Sequence, residues 1–335
     1  MPKSLMPAGL SYLTSNIMKK DNILGAGRSK KSEWAKGLTF ARNTGTIFFA
    51  GCGYQYNYDL ESIMNLLRTM DRSFISTECT MRLANGLREK LKIDAAGMYR
   101  GLVSRSKKGN QPLEAAVRVL GKLGIEFGYL GEEEPCCGGA IYFSGLHRKF
   151  QDHIMNVRKR LRSVEVKQII SIVPSCTYTL KTLLPQATGD NDVEVKHFCE
   201  VVSERISGLN LVFPEEKKVT YHDPCQMVRY LGLVEEPRLI LKSIRGITFV
   251  EPAWTTGLWA TCCGGGGGFE AVFPELSLTL AKNRVRELVD TGADIIVTHC
   301  PGCLMQLEAG LKELKIDHVR VMDLSQIIAI SMGVM

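Results

Sequence analysis

Five of the chain's eleven cysteines follow a pattern too regular for chance: Cys225, the pair Cys262-Cys263, and Cys300-Pro-Gly-Cys303. Thirty-six residues lie between Cys225 and Cys262, and thirty-six between Cys263 and Cys300. A structural zinc ion closes with four ligands, so five thiols exceed what it can use. The set points instead to iron and sulfide, which thiolates hold in clusters. Zinc bound by four of the five stays open as a structural alternative, although a doubled cysteine flanked by glycines suits it poorly.

Positioning such a set requires elements that bring distant stations together, and the chain repeats itself in a way that does so. Thr46-Ile-Phe-Phe-Ala-Gly-Cys52 and Val219-Thr-Tyr-His-Asp-Pro-Cys225 both read as a short strand ending at a cysteine. Gly124–Leu130 leads to Cys136-Cys137-Gly138-Gly139, and Gly246–Glu251 leads to Cys262-Cys263-Gly264-Gly265. Basic helical stretches follow near 144–162 and 274–291. The strands Ile169–Val173 and Asp294–Thr298 then reach Pro174-Ser-Cys176 and Pro301-Gly-Cys303, and a strand and helix close each half at 193–208 and 317–330. Strands alternating with helices predict an α/β fold of two pseudo-symmetric Rossmann-like halves, each with a parallel sheet. Right-handed crossovers place the cysteine turns at the strand C-terminal ends, where such sheets bind ligands. Gly264 and Gly265 would let the backbone approach a bulky group and point amides at sulfur.

The expected boundaries are a basic arm over 1–45, a first cysteine domain over 46–210 and a second over 211–335. The first differs from the second in two ways. Val173 stands where the second has Cys300, leaving Cys52, Cys136, Cys137 and Cys176. An insertion of helical pattern occupies about 57–109, with Leu60, Ile63, Met64 and Leu67 at helical spacing. Four thiolates suffice for a conventional [4Fe–4S] cluster; an empty, degenerate half is the other reading.

The composition, 45% hydrophobic and 23% charged, is that of a globular protein. No apolar run has the length of a membrane span, and Met1–Pro7 lacks the features of a secretory signal. The chain is therefore read as cytoplasmic, at most peripheral to a membrane. Residues 1–45 carry eight cations against two carboxylates, +6 of the chain's +7. This stretch reads as a solvated arm or as a docking element for an acidic protein partner or an anionic surface. No nucleic-acid reading motif is present. The run Gly264–Gly268 lacks the context of a phosphate loop.

The pattern Cys, Cys-Cys-Gly, Cys-x-x-Cys resembles the cysteine-rich CCG domain family, and the tandem arrangement resembles the heterodisulfide reductase B subunit and its homologues. The resemblance covers about residues 46–335. It implies a non-cubane [4Fe–4S] cluster held by Cys225, Cys262, Cys263, Cys300 and Cys303 that cleaves a disulfide by one-electron steps. It also implies a second [4Fe–4S] cluster on Cys52, Cys136, Cys137 and Cys176, provided that half is not empty. Since no cysteine precedes Cys52, a ferredoxin-like iron–sulfur subunit is the expected partner, followed by a flavoprotein subunit, with a disulfide or thiol as substrate. The alternative is an electron conduit in a lactate, glycolate or acyl-CoA-linked dehydrogenase complex. His222 and His299, beside motif cysteines, are candidates for proton or hydrogen-bond donation; as strand-end histidines they could equally satisfy backbone groups. Asp223 reads as a turn-orienting residue, and Cys79 and Cys199 as buried, inert thiols.

Overall fold

The computed structural model describes residues 6–42, 44–72, 77–90 and 111–335. Two parallel sheets organise it. Strands β1 (Thr46–Phe49), β2 (Gln168–Ser171) and β3 (Glu194–His197) pair in the order β1-β2-β3. Strands β4 (Val212–Tyr221), β5 (Arg245–Phe249), β6 (Ile295–Thr298) and β7 (Arg320–Asp323) pair in the order β5-β4-β6-β7. The apolar runs predict this burial: β6, Ile-Ile-Val-Thr, is buried along its whole length, as parallel strands are when helices cover both faces. The α/β architecture of two Rossmann-like halves is thus the one expected.

By chain order and pairing, β1, β2 and β3 correspond to β4, β6 and β7. The place of β5 is reduced in the first sheet to a single parallel bridge, Ile47 with Gly128. A full strand over 124–130, the counterpart of β5, is not formed. The reason lies on its outer side, where Ala41 N donates to Phe127 O at 3.0 Å and a Cβ at Gly128 would stand 3.3 Å from Ala41 O. The N-terminal segment therefore covers this edge.

That segment begins with helix α1 (Ala8–Lys20), whose Ala8, Tyr12, Asn16 and Ile17 are buried. Gly9 lets α1 touch the helix Phe269–Val272, since a Cβ there would lie 2.8 Å from Ala271 O. The chain leaves α1 through Asp21 in the left-handed region (φ 57°), a turn secured by Asn22, whose side chain accepts from Leu24 N and Ala26 N. Lys31, among the eight cations of the basic stretch, is buried, paired with Asp21 at 3.0 Å and donating to Glu134 O at 2.6 Å. Lys19, Lys20, Arg28, Lys36 and Arg42 remain exposed. The stretch is folded against the body, with only part of its charge in solvent.

Short helix α2 (Gly51–Gln55) follows β1, and α3 (Asn57–Arg72) and α4 (Thr77–Lys90) form the described part of the insertion. The rest of the expected insertion, 73–76 and 91–109, lies outside the described residues. One buried apolar cluster runs from Ile17 through Phe48, Ile170, Val219 and Ile295 to Ala329, so the two halves share a core. Among the described residues no helix is long and apolar enough to cross a membrane.

Candidate functional site

Each motif cysteine sits where a strand ends or a glycine turns the chain. Cys52 lies in α2 after β1, Cys176 in the helix Pro174–Tyr178 after β2, and Cys225 opens the helix Cys225–Tyr230 after β4. Cys300 caps the helix Pro301–Glu313 after β6, with Cys303 in its first turn. Pro174 and Pro301 take the first helical position, where a fixed φ and a missing N–H cost nothing. The doubled cysteines precede Gly138 (φ 81°) and Gly264 (φ 84°), left-handed positions that favour glycine.

Both sets converge. Cys52, Cys136, Cys137 and Cys176 line one cavity of about 260 Å³ together with Cys225, Cys300 and Cys303, whereas Cys262 and Cys263 lie behind its wall, Cys263 against Cys303. Cys137 and Cys176 bring their sulfurs to 3.2 Å, as do Cys263 and Cys303, far beyond a disulfide bond. The halves meet beside the cavity, where a Cβ at Gly53 would stand 2.6 Å from Pro301 Cγ. Backbone amides point at sulfur in each half: Gly139 N to Cys137 Sγ (3.5 Å), Gly264 N to Cys262 Sγ (3.3 Å) and Gly265 N to Cys263 Sγ (3.5 Å). Soft sulfur donors, oriented amides and an adjoining void make a donor set that fits an iron–sulfur group.

The sets differ in exposure and charge. Cys52, Cys136, Cys137 and Cys176 are all buried, whereas Cys262 is exposed and Cys225 and Cys300 are half-buried. Contact with neighbouring thiols and burial push the Cys52 thiol well above its ordinary range. Burial, with Cys300 and Cys263 nearby, pushes Cys225 up to about 11. Cys263 goes the other way: contacts with Cys262 and Cys303, joined by His222, hold it well below the usual thiol range. His222 owes its role to Arg284, fully buried, whose Nε donates to His222 Nδ1 at 3.0 Å. A guanidinium can only donate, so the imidazole proton resides on Nε2. That buried Nε2 has no other hydrogen-bond partner, and a His222 ring nitrogen lies within 4.8 Å of the Cys263 and Cys303 sulfurs.

His299 sits differently. Its Nδ1 donates to Asp323 Oδ1 at 2.9 Å, and Asp323 Oδ2 accepts from the Tyr54 hydroxyl of the first half. Burial alone would raise the Asp323 carboxyl, but His299, Ser325 and Tyr54 together hold it below the usual carboxylate range. Neither histidine lines the cavity. His197, Cys199 and His299 also bring ligand atoms within 4.8 Å of one another. The His197 tautomer opposes a metal there: His197 Nδ1 accepts from Cys199 N at 3.3 Å, which leaves the proton, not a lone pair, on Nε2.

Asp223 is the turn residue it was read as, accepting from buried Arg238 at 2.9 Å and from Gly257 N at 2.8 Å. Cys199 is buried as expected. Cys79 is exposed instead, since α4 turns Glu78 and Asn85 toward α1, where they bond Ala8. Sequence reasoning missed Glu134, whose carboxylate accepts from Ala50 N (2.8 Å), Gly51 N (2.9 Å) and Gln55 (2.7 Å) and so fixes the Cys52 turn. Burial pushes this carboxyl up to about 7, against the pull of those amides and Lys31. Its place two residues before Cys136 was the available signal.

Residues 101–181 and 219–308 match the family model described as a cysteine-rich domain (CCG). The D subunit of the dihydromethanophenazine:CoB--CoM heterodisulfide reductase of Methanosarcina acetivorans is 36% identical over 230 residues, 65% of this chain and 54% of that protein. The EtfAB:quinone oxidoreductase of Syntrophomonas wolfei is 32% identical over 226 residues, 64% of this chain and 31% of that protein. The B subunit of the CoM/CoB fumarate reductase of Methanothermobacter marburgensis is 30% identical over 214 residues, 64% and 42% respectively. The chain spans about half the length of the curated heterodisulfide reductase relatives it matches, and in these the matching chain is the D subunit.

Proposed function

This chain belongs to the cysteine-rich CCG domain family, and from that premise we propose that it is the iron–sulfur subunit of a heterodisulfide reductase-like complex, performing disulfide and thiol redox chemistry. Within such a complex it would fill the catalytic role of a B subunit. The observation that supports the reading is one cavity lined by all four cysteines of the first set and by Cys225, Cys300 and Cys303 of the second. Cys225, Cys262, Cys263, Cys300 and Cys303 would hold a non-cubane [4Fe–4S] cluster, and Cys52, Cys136, Cys137 and Cys176 a second [4Fe–4S] cluster. When bound, the first supplies single electrons and a Lewis-acidic iron for thiolate.

The chain's own residues do the rest. The Gly264 and Gly265 amides donate to Cys262 and Cys263 and so favour negative charge on sulfur. Arg284 fixes the tautomer in which His222 offers Nε2–H toward Cys263. Asp323 and Tyr54 hold His299 beside Cys300 and tie the halves together. Both histidines are positioning residues, buried away from the cavity. The net reaction takes two electrons and two protons into a disulfide and yields two thiols. The electrons would come from a ferredoxin-like iron–sulfur subunit and, beyond it, a flavoprotein. The exposed cations Lys19, Lys20, Arg28, Lys36 and Arg42 offer an acidic partner a docking face.

A second reading, an electron conduit in a flavoprotein dehydrogenase complex, draws support from the EtfAB:quinone oxidoreductase relative and from the burial of all four first-set thiols. Anaerobically purified protein decides. Iron with acid-labile sulfide, and a paramagnetic signal on oxidation that appears only with added thiol, are expected from disulfide chemistry. Signals indifferent to a panel of thiols and disulfides would establish the conduit, and zinc without sulfide would overturn both.

A further inference from the structure

The cavity that the thiols share has a second wall, and its chemistry bears on what can enter. α1 and α3, which carry no cysteine, contribute Leu13, Leu60, Ile63, Met64 and Leu67, and Met305 adds to them from the helix Pro301–Glu313. This wall offers a metal–sulfur group no ligand and a hydrocarbon full contact. Among the described lining residues there is no lysine, arginine or histidine, and the one carboxylate is Glu270. The amides at the glycine turns, which elsewhere would welcome an anion, already face sulfur in Gly139, Gly264 and Gly265. Gly266 N is likewise committed, to Glu270 Oε2 at 2.9 Å.

An anionic substrate here would surrender its water for an apolar wall, with a carboxyl group beside it and no basic side chain among the described lining residues. An uncharged molecule loses nothing and gains the contact of the Leu, Ile and Met side chains. Methionine, unbranched and polarisable, suits a wall that must adapt to an alkyl chain or a sulfur atom.

We propose that this site takes a small, uncharged, apolar disulfide, and the thiols it yields, in preference to a disulfide bearing anionic groups. The inference rests on the disulfide reading above but is tested separately from it. Diethyl disulfide and bis(2-sulfoethyl) disulfide share one scaffold and differ only in two sulfonates. Calorimetric titration of the anaerobic holoprotein with each is expected to show diethyl disulfide binding at least tenfold more tightly. Glu270→Lys should narrow that ratio severalfold by strengthening binding of the sulfonated compound. Equal or tighter binding of bis(2-sulfoethyl) disulfide by the unaltered protein, or binding of neither, overturns the proposal. The paramagnetic signal, followed in the same samples, reports on the reaction. Preferential binding of diethyl disulfide with no change in that signal would overturn the disulfide reading and leave a preference for an uncharged ligand.

Discussion

The two cysteine sets share a fold and a cavity, yet one is closed and the other open. In the first, all four thiols are buried, Val173 fills the place of Cys300, and Phe49 fills the place of His222. In the second, Cys262 is exposed, Cys225 and Cys300 are half-buried, and the Arg284–His222 pair directs a proton donor toward the sulfurs. The difference teaches how one scaffold can serve two tasks. A wholly buried thiol set with no histidine donor at the Phe49 position suits holding and passing charge; a set with exposed and half-buried thiols and a histidine donor suits meeting a substrate.

The sharpest way to break this comparison is to remove equivalent sulfurs. Cys263→Ala is expected to abolish the thiol-dependent signal and about half of the bound iron, whereas Cys176→Ala removes only the other signal and leaves the thiol response intact. Iron and sulfide analysis beside paramagnetic resonance checks both variants. If Cys176→Ala also removes the thiol response, the sets act as one unit. A single signal in the unaltered protein would mean that the first half is empty.

The second test concerns the glycines that follow the doubled cysteines. Both are left-handed, so alanine is strained at either, a cost of roughly 1–3 kcal/mol. What lies beyond differs. A Cβ at Gly264 would meet the backbone oxygen of Ser277 at 2.2 Å, in a helix that cannot yield locally. At Gly138 it would meet the ring of His153 at 2.6 Å, a side chain that can turn away at the cost of its bond to Cys136 O. Gly264→Ala is therefore expected to be the more destabilising by about 1–2 kcal/mol, the scale of overpacking against fixed atoms. Thermal unfolding of the two variants measures the gap, and equal losses would show that the second turn is as pliable as the first.

How far these contrasts were legible beforehand depends on what each one rests upon. The strands, the cysteine stations and the missing thiol at Val173 could be read directly, because apolar runs and ligand spacing are local signals. The wall that α1 and α3 add to the shared cavity could not, because their packing partners lie far along the chain. Arg284 and Glu134 were invisible for a related reason. Arg284 lies in a helix rich in Lys and Arg, and Glu134 ends a run of three glutamates, so only burial separates them from solvated neighbours. The cover over the Gly124–Leu130 edge was equally unreadable, because its apolar pattern carries no sign that residues near Ala41 pack there.

The smallest expected effect tests the proton donor itself. His222→Phe copies the first half's Phe49 into the second and deletes the Nε2–H offered to Cys263. A donor to a thiolate stabilises the more negative, reduced state, so its loss should lower the midpoint potential of the open set. A charge-assisted hydrogen bond contributes roughly 1.5–3 kcal/mol, and ~1.4 kcal/mol corresponds to about 59 mV for one electron. A fall of about 60–130 mV is therefore expected, confined to the signal that responds to thiol. The substitution also strands the buried Arg284 Nε, which destabilises the fold whether or not His222 touches sulfur. Thermal unfolding registers that structural cost, and the potential registers the electrostatic one. A lowered unfolding temperature with an unmoved potential would mean that His222 merely satisfies Arg284, and the open and closed sets would then differ in access and ligand number alone.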